Sequence, residues 1–200
     1  MRQSRASYYA DFAVYPALIA LTMLVIATRS PPKHWGYALG FVVTGVILWT
    51  LLEYLLHRFV LHGATRVAGL HDQHHAWPRA WIGTPTWLSV AVLACLAILP
   101  VLLGASLVAS LGLAGGLMAG FFWYGLAHHA IHHGEPQLLA RALVGGARRH
   151  FRHHLCHGSG NFGVTTSLWD RLFRTSLAAP SPTLHSPVVS CGSRLGSEGQ

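Results

Sequence analysis

Thirteen of the fifteen histidines fall into four tight groups, and only His34 and His185 stand alone. The first group is His57 and His62, in His-Arg-Phe-Val-Leu-His. The second is His71-Asp-Gln-His74-His75, and the fourth, His150-Phe-Arg-His153-His154 with His157 three residues on, repeats its H-x-x-H-H spacing 79 residues later. The third is His128-His129-Ala-Ile-His132-His133. Imidazole is a ligand for iron, zinc, copper and nickel, and one ion rarely takes more than about six ligands. So many imidazoles exceed one site and imply two metals. The motifs hold no bridging Asp or Glu, unlike the carboxylate-rich sites of soluble di-iron bundles.

On a helix, positions i, i+3 and i+4 lie within about 100° of one face, so each H-x-x-H-H triplet converges on one small volume. The five-residue step from His57 to His62 turns about 140° at the α-helical pitch. These two are not placed to share one metal easily; they serve two neighbouring metals or flank one through a helix end. In the third group, His128 with His132 and His129 with His133 form two i, i+4 pairs about 100° apart, and periodicity leaves open which pair points inward. Glu53 precedes His57 by one helical turn, and Asp72, Glu135 and Asp170 lie close in sequence to groups two, three and four. Carboxylates that orient ligand imidazoles are common at metal sites. Glu53 is the most telling, because an acid at the end of an apolar span is costly without a partner.

The elements that must position these groups are apolar. Hydrophobic residues make up 52% of the chain and charged residues 10%, against about 25% charged in an ordinary soluble domain, which points to a membrane as solvent. The net charge of +8 comes from Lys and Arg in loops and the C-terminal third. This fits the cytoplasmic face of a membrane rather than nucleic acid. A span needs about 20 apolar residues, with about 17 as a minimum, and four stretches qualify: 12–28, 37–56, 85–104 and 107–127. The uncharged Gly104-Ala105-Ser106 turn makes the last two a tight hairpin. A secretory signal peptide is the rival reading of the first stretch, but no small-x-small cleavage site precedes Arg29.

With a cytoplasmic N-terminus, four spans put the 57–84 loop and everything after 128 on the cytoplasmic side. The arginines agree: Arg58, Arg66, Arg79, Arg141, Arg148, Arg149, Arg152, Arg171 and Arg174 against Arg29 and Lys33 outside. The expected fold is an all-α integral membrane protein. About four transmembrane helices carry a cytoplasmic, helical, histidine-rich dimetal cap, in a single domain over 1–175 whose metal-binding region is 57–84 and 128–175. Residues 176–200, rich in Ser, Pro and Gly, read as a disordered tail. Glycines 112, 115, 116 and 120 read as close helix packing. Cys95, Cys156 and Cys191 form no Cys-x-x-Cys pair and are read as unpaired thiols. Transport sites lie near the bilayer midplane, whereas every histidine group here lies at or beyond a span's end, against a histidine-rich transporter.

The order H-x4-H, H-x2-H-H, H-x3-H, H-x2-H-H resembles the fatty acid hydroxylase and sterol desaturase superfamily, closest to the fatty acid 2-hydroxylases. The likeness extends to Trp49-Thr-Leu-Leu-Glu53-Tyr-Leu-Leu-His57, to Tyr124-Gly-Leu-Ala-His128 through His132-His133-Gly-Glu-Pro136, and to Asn161-Phe-Gly-Val-Thr-Thr-Ser-Leu-Trp-Asp-Arg-Leu-Phe173. It covers about residues 40–175. It implies ten metal ligands, His57, His62, His71, His74, His75, His128, His132, His150, His153 and His154, and leaves His129, His133 and His157 as extras. It further implies two iron ions, for which zinc is a stand-in in purified samples. The chemistry implied is reductive activation of dioxygen, hydrogen abstraction from an unactivated C–H bond and return of hydroxyl to a lipid acyl chain taken from the bilayer. Eukaryotic 2-hydroxylases often carry an N-terminal cytochrome b5 domain, for which there is no room before the first span, so a separate electron-donor protein is expected. The alternatives are a sterol or carotenoid hydroxylase or desaturase, and a non-catalytic histidine-rich metal-binding membrane protein.

Overall fold

In the computed structural model, which describes residues 2–65, 67–134 and 137–177, the regular elements among the described residues are helices. They are α1 (Arg5–Tyr9), α2 (Asp11–Arg29), α3 (Trp35–Leu55), α4 (Ala68–Ala76), α5 (Thr86–Leu102), α6 (Leu107–His133), α7 (Gln137–Leu155) and α8 (Leu168–Leu172). Arg66, Glu135 and the tail from 178 lie outside the described residues.

Three stretches are long and apolar enough to cross a membrane: Arg5–Arg29, Pro32–Leu61 and Leu107–His133. Of the four expected spans, the third is the short one. Helix α5 has 17 residues, or about 25 Å at 1.5 Å per residue, against a hydrocarbon layer of about 30 Å. Leu39, Val43 and Ile47 follow one stripe of α3 at four-residue spacing and are all exposed, the inside-out pattern of a helix whose solvent is lipid.

The chain divides into two compact units, Met1–Leu52 with Trp77–Leu126 and Glu53–Ala76 with Ala127–Gln200. The first unit is built around Tyr15, Trp49, Leu93 and Leu117, with the Trp49 and Phe121 rings edge to face at 5.1 Å. Here the glycines expected to pack helices do so. A Cβ on Gly116 would run into the Val42 carbonyl, and one on Gly112 into the Ala38 carbonyl. The backbones of α3 and α6 therefore touch without intervening side chains, a packing favoured where no hydrophobic effect drives helices together.

The second unit holds all four histidine groups. Helix α3 gives way to a π-helical turn over Leu56–Leu61. Helix α6 does not stop at 127, where the sequence predicts the span to end, but runs to His133. Nothing from 128 to 133 breaks a helix, and Gly134 then ends it with φ +71°, the left-handed residue that commonly terminates helices. The two H-x-x-H-H motifs lie on α4 and near the C-terminus of α7. The first two residues of the segment read as a tail, Ser176 and Leu177, are described: Leu177 is buried and its N–H donates to Asn161 Oδ1 at 3.0 Å. Cys95 is free and exposed, as read, whereas Cys156 is disulfide-bonded, which corrects the reading of an unpaired thiol there.

Candidate metal centre

The π turn brings His57 and His62 together. The His62 N–H donates to the His57 carbonyl at 3.1 Å, an i to i+5 bond, and this wider turn gathers two side chains that an α-helix would splay by about 140°. The expectation that they would not easily share a site is thereby corrected. They fall with His71, His75 and His153 in one group, and His74, His128, His132 and His150 form a second; within each, the ligand nitrogens lie within 4.8 Å of one another. Gly158 makes room for the first group. Its φ is +72°, and a Cβ there would fall against the His62 ring.

On α6 the inward pair is His128 and His132. His129 and His133 stack on each other at 4.5 Å and belong to neither group. His154 also stands outside both, yet its ring stacks on His75 at 4.1 Å and its Nε2 lies 3.1 Å from His150 Nε2. His157 joins neither group and takes a left-handed φ of 50°.

The nitrogen chemistry fits metal ions. His57 Nδ1 lies 2.5 Å from the Phe162 carbonyl and His153 Nδ1 lies 2.8 Å from the Gly160 carbonyl. A carbonyl only accepts, so each Nδ1 carries the proton and each Nε2 presents a lone pair. Those lone pairs face more nitrogens: His57 Nε2 is 3.0 Å from His71 Nε2, and His153 Nε2 is 2.9 Å from His62 Nε2. His71 Nε2 is also 3.1 Å from His75 Nε2, while His150 Nε2 has His132 Nε2 at 2.8 Å as well as His154. A single ring nitrogen either donates one proton or offers one lone pair, so it cannot satisfy two such neighbours. Nitrogens bound at right angles to one ion, with bonds of about 2.0–2.1 Å, sit about 3 Å apart, which is the spacing found. His74 Nε2 is buried without a hydrogen-bond partner among the described residues, as befits a nitrogen whose partner is a metal.

The environment keeps these imidazoles neutral, the form that binds metal. Burial, and then the neighbouring histidines, push His74 and His75 down to about 3, and burial with His62 pushes His154 to about 4. His71, His150 and His153 are held well below the ordinary imidazole range for the same reasons. His62 is lowered by burial, against the opposing charge of Asp72, which itself is exposed on α4.

Glu53 and Asp170 are both buried, but among the described contacts they bind the backbone of residues 162–165 rather than imidazoles. The sequence reading missed that loop. Its carbonyls, at Gly160 and Phe162, are what the ligand histidines touch, and the one signal for it was the Asn161-Phe-Gly-Val-Thr-Thr run. Asn161 takes a left-handed φ of 55°, which asparagine tolerates, and its Nδ2 donates to the Arg149 carbonyl at 3.3 Å, tying the loop to α7.

Residues 42–175 match the family model described as fatty acid hydroxylase. A dihydroceramide fatty acyl 2-hydroxylase of Arabidopsis thaliana is 31% identical over 157 residues, 68% of this chain and 61% of that protein. The human fatty acid 2-hydroxylase is 30% identical over 185 residues, 84% of this chain and 47% of that protein. The chain thus spans about half to three-fifths of the length of these relatives. Among solved structures, full-length scs7p, of which only the hydroxylase domain is visible, superposes with a TM-score of 0.70 at 28% identity, covering 86% of this chain and 67% of that one.

Proposed function

The chain belongs to the fatty acid hydroxylase family, and from that premise we propose that it is a membrane-bound di-iron oxygenase that hydroxylates a lipid acyl chain. The observation that carries this reading is the pair of adjoining all-imidazole groups whose ligand nitrogens lie at metal-ligand spacing. We assign His57, His62, His71, His75 and His153 to one ion and His74, His128, His132 and His150 to the other, with His154 completing the second beside His150. Bound iron, for which zinc is the stand-in in a purified sample, supplies the oxidising power toward an unactivated C–H bond from dioxygen and from electrons brought by a separate donor protein. The protein's own part is to hold ten neutral imidazoles in place and to exclude water: His57, His71, His74, His132, His150 and His153 are all buried. The names of the relatives support carbon 2 of the acyl chain as the point of attack.

The protein is an integral membrane protein, with three apolar helices long enough to cross. We further propose that α5 is a fourth, short span, that the lipid substrate arrives laterally from the bilayer, and that the metal centre and both termini face the cytoplasm. A cytoplasm-active reporter fused after Leu177 should be active on this topology, and an inactive one reverses it. The test of function is mass spectrometry of lipids from cells expressing the chain. An oxygen-dependent gain of one oxygen atom on acyl chains, abolished by His74→Ala, is expected. An unchanged lipid profile from protein that carries its metals would sink the enzyme reading.

A further inference from the structure

Asp170 is fully buried, and it lies one peptide away from a metal ligand. Its Oδ2 accepts from the Gly163 N–H at 2.8 Å. The carbonyl of that same peptide unit, Phe162 C=O, accepts from His57 Nδ1. The carboxylate and the imidazole thus hold opposite ends of one planar, conjugated group. Hydrogen bonds so linked polarise one another, because an amide that donates to an anion has a more basic carbonyl. A second arm reaches His153. Asp170 Oδ1 accepts from the Thr175 hydroxyl at 2.7 Å and from the Phe162 N–H at 2.8 Å, and the Asp170 carbonyl accepts from the Thr175 N–H at 2.8 Å. The Thr175 carbonyl in turn accepts from the Asn161 N–H at 2.9 Å, whose peptide partner, the Gly160 carbonyl, accepts from His153 Nδ1. Glu53 steadies the loop further on, its Oε1 accepting from the Val164 and Thr165 N–H groups at 2.6 and 3.0 Å.

Both histidines reached in this way, His57 and His153, belong to the five-histidine group. In the other group, His150 turns a buried Nδ1 toward no hydrogen-bond partner among the described residues. We propose that Asp170 is the positioning residue of the five-histidine group alone: acting through two peptide units, it fixes the Nδ1–H form and the aim of His57 and His153, so that the two metal positions are held by different means. This rests on the two-metal reading given above.

Asp170→Asn keeps the shape but turns an NH2 toward one of the backbone donors. Purified in detergent with iron or zinc, the wild type is expected to carry two ions by elemental analysis; fewer would sink the two-metal reading itself. Asp170→Asn is expected to carry one. The ion that stays should survive a further His71→Ala and be lost with a further His132→Ala. Thr175→Val, a milder change that removes one bond to Asp170, should release one of its two ions to a chelator about 10–100-fold more readily than the wild type, the usual cost of losing an indirect partner of a ligand. The proposal is overturned if Asp170→Asn keeps both ions or loses both together. Should Asp170→Asn not fold, unaltered release from Thr175→Val overturns it equally.

Discussion

His128 and His129 are adjacent and chemically identical, yet the fold gives them separate surroundings. His128 is half-buried and shares a group with His74, His132 and His150, whereas His129 stacks on His133 outside both groups. His128→Ala should therefore lower hydroxylation by more than the roughly 10–100-fold that losing an outer partner of a ligand costs, and His129→Ala should leave it within a few-fold, both read from hydroxylated lipid per milligram of protein. Equal losses would contradict the grouping. Gly158 provides the steric counterpart. Gly158→Ala places a methyl against the His62 ring at a left-handed φ, a conformation that costs about 1–2 kcal/mol for a residue with a side chain. A lower unfolding temperature and loss of one ion by elemental analysis are the outcomes to look for. What was legible at this scale was the ligand chemistry, because side-chain type and spacing are written in the sequence. The Gly160 and Phe162 carbonyls were not, since every residue has a carbonyl and only tertiary folding decides which ones face an imidazole.

Helix pitch decides the first histidine pair. Read at the α-helical pitch, H-x4-H separates its ends by about 140°, whereas H-x3-H leaves them about 40° apart. The π turn absorbs the extra residue and restores a shared face. Deleting the exposed Phe59 should consequently yield an ordinary α turn with the pair still together, and the protein should retain both ions. Loss of an ion would mean that the π turn does more than correct spacing. In the membrane portion the glycine contacts between α3 and α6 leave no such latitude. Gly116→Ala drives a methyl into the Val42 carbonyl and should destabilise the protein by about 1–3 kcal/mol, seen as a lower unfolding temperature in detergent. The apolar runs and the H-x-x-H-H triplets had already marked where α3, α4, α6 and α7 would lie. Hydropathy ends the apolar span at 127, but it tracks solvent rather than hydrogen bonding, and α6 outlasts its apolar stretch to His133, in keeping with the i, i+4 reading of the third histidine group. The π turn is equally hidden, for local sequence does not state how many residues a turn will hold.

For the molecule as a whole, the buried imidazoles link stability to pH. An imidazole titrates near 6.5 in an unfolded chain, while in the fold His154 is held at about 4 and His74 and His75 at about 3. Below 6.5 the unfolded chain takes up protons that the folded one refuses, so stability present above that pH is lost as pH falls toward 4 and then 3. The unfolding temperature of metal-stripped protein should be level above about pH 7 and decline steadily below 6.5; a flat profile down to pH 4 would show that these histidines are not held neutral. Restoring the metals should raise the temperature at neutral pH, because ions that bind only the folded chain stabilise it by mass action.

The second unit is assembled from two stretches of chain that are not neighbours in sequence, 53–76 and 127 onward, and this has a consequence in time. His75 is made 78 residues before His153, a lag of roughly 4 to 16 seconds at ordinary rates of synthesis. Asp170 and Thr175, which align His57 and His153 through the backbone, come later still. A growing chain therefore displays four histidines of the first group well before the fifth, and before anything that aims them. Metal delivery belongs after synthesis, and an ion seized earlier would meet an unfinished site.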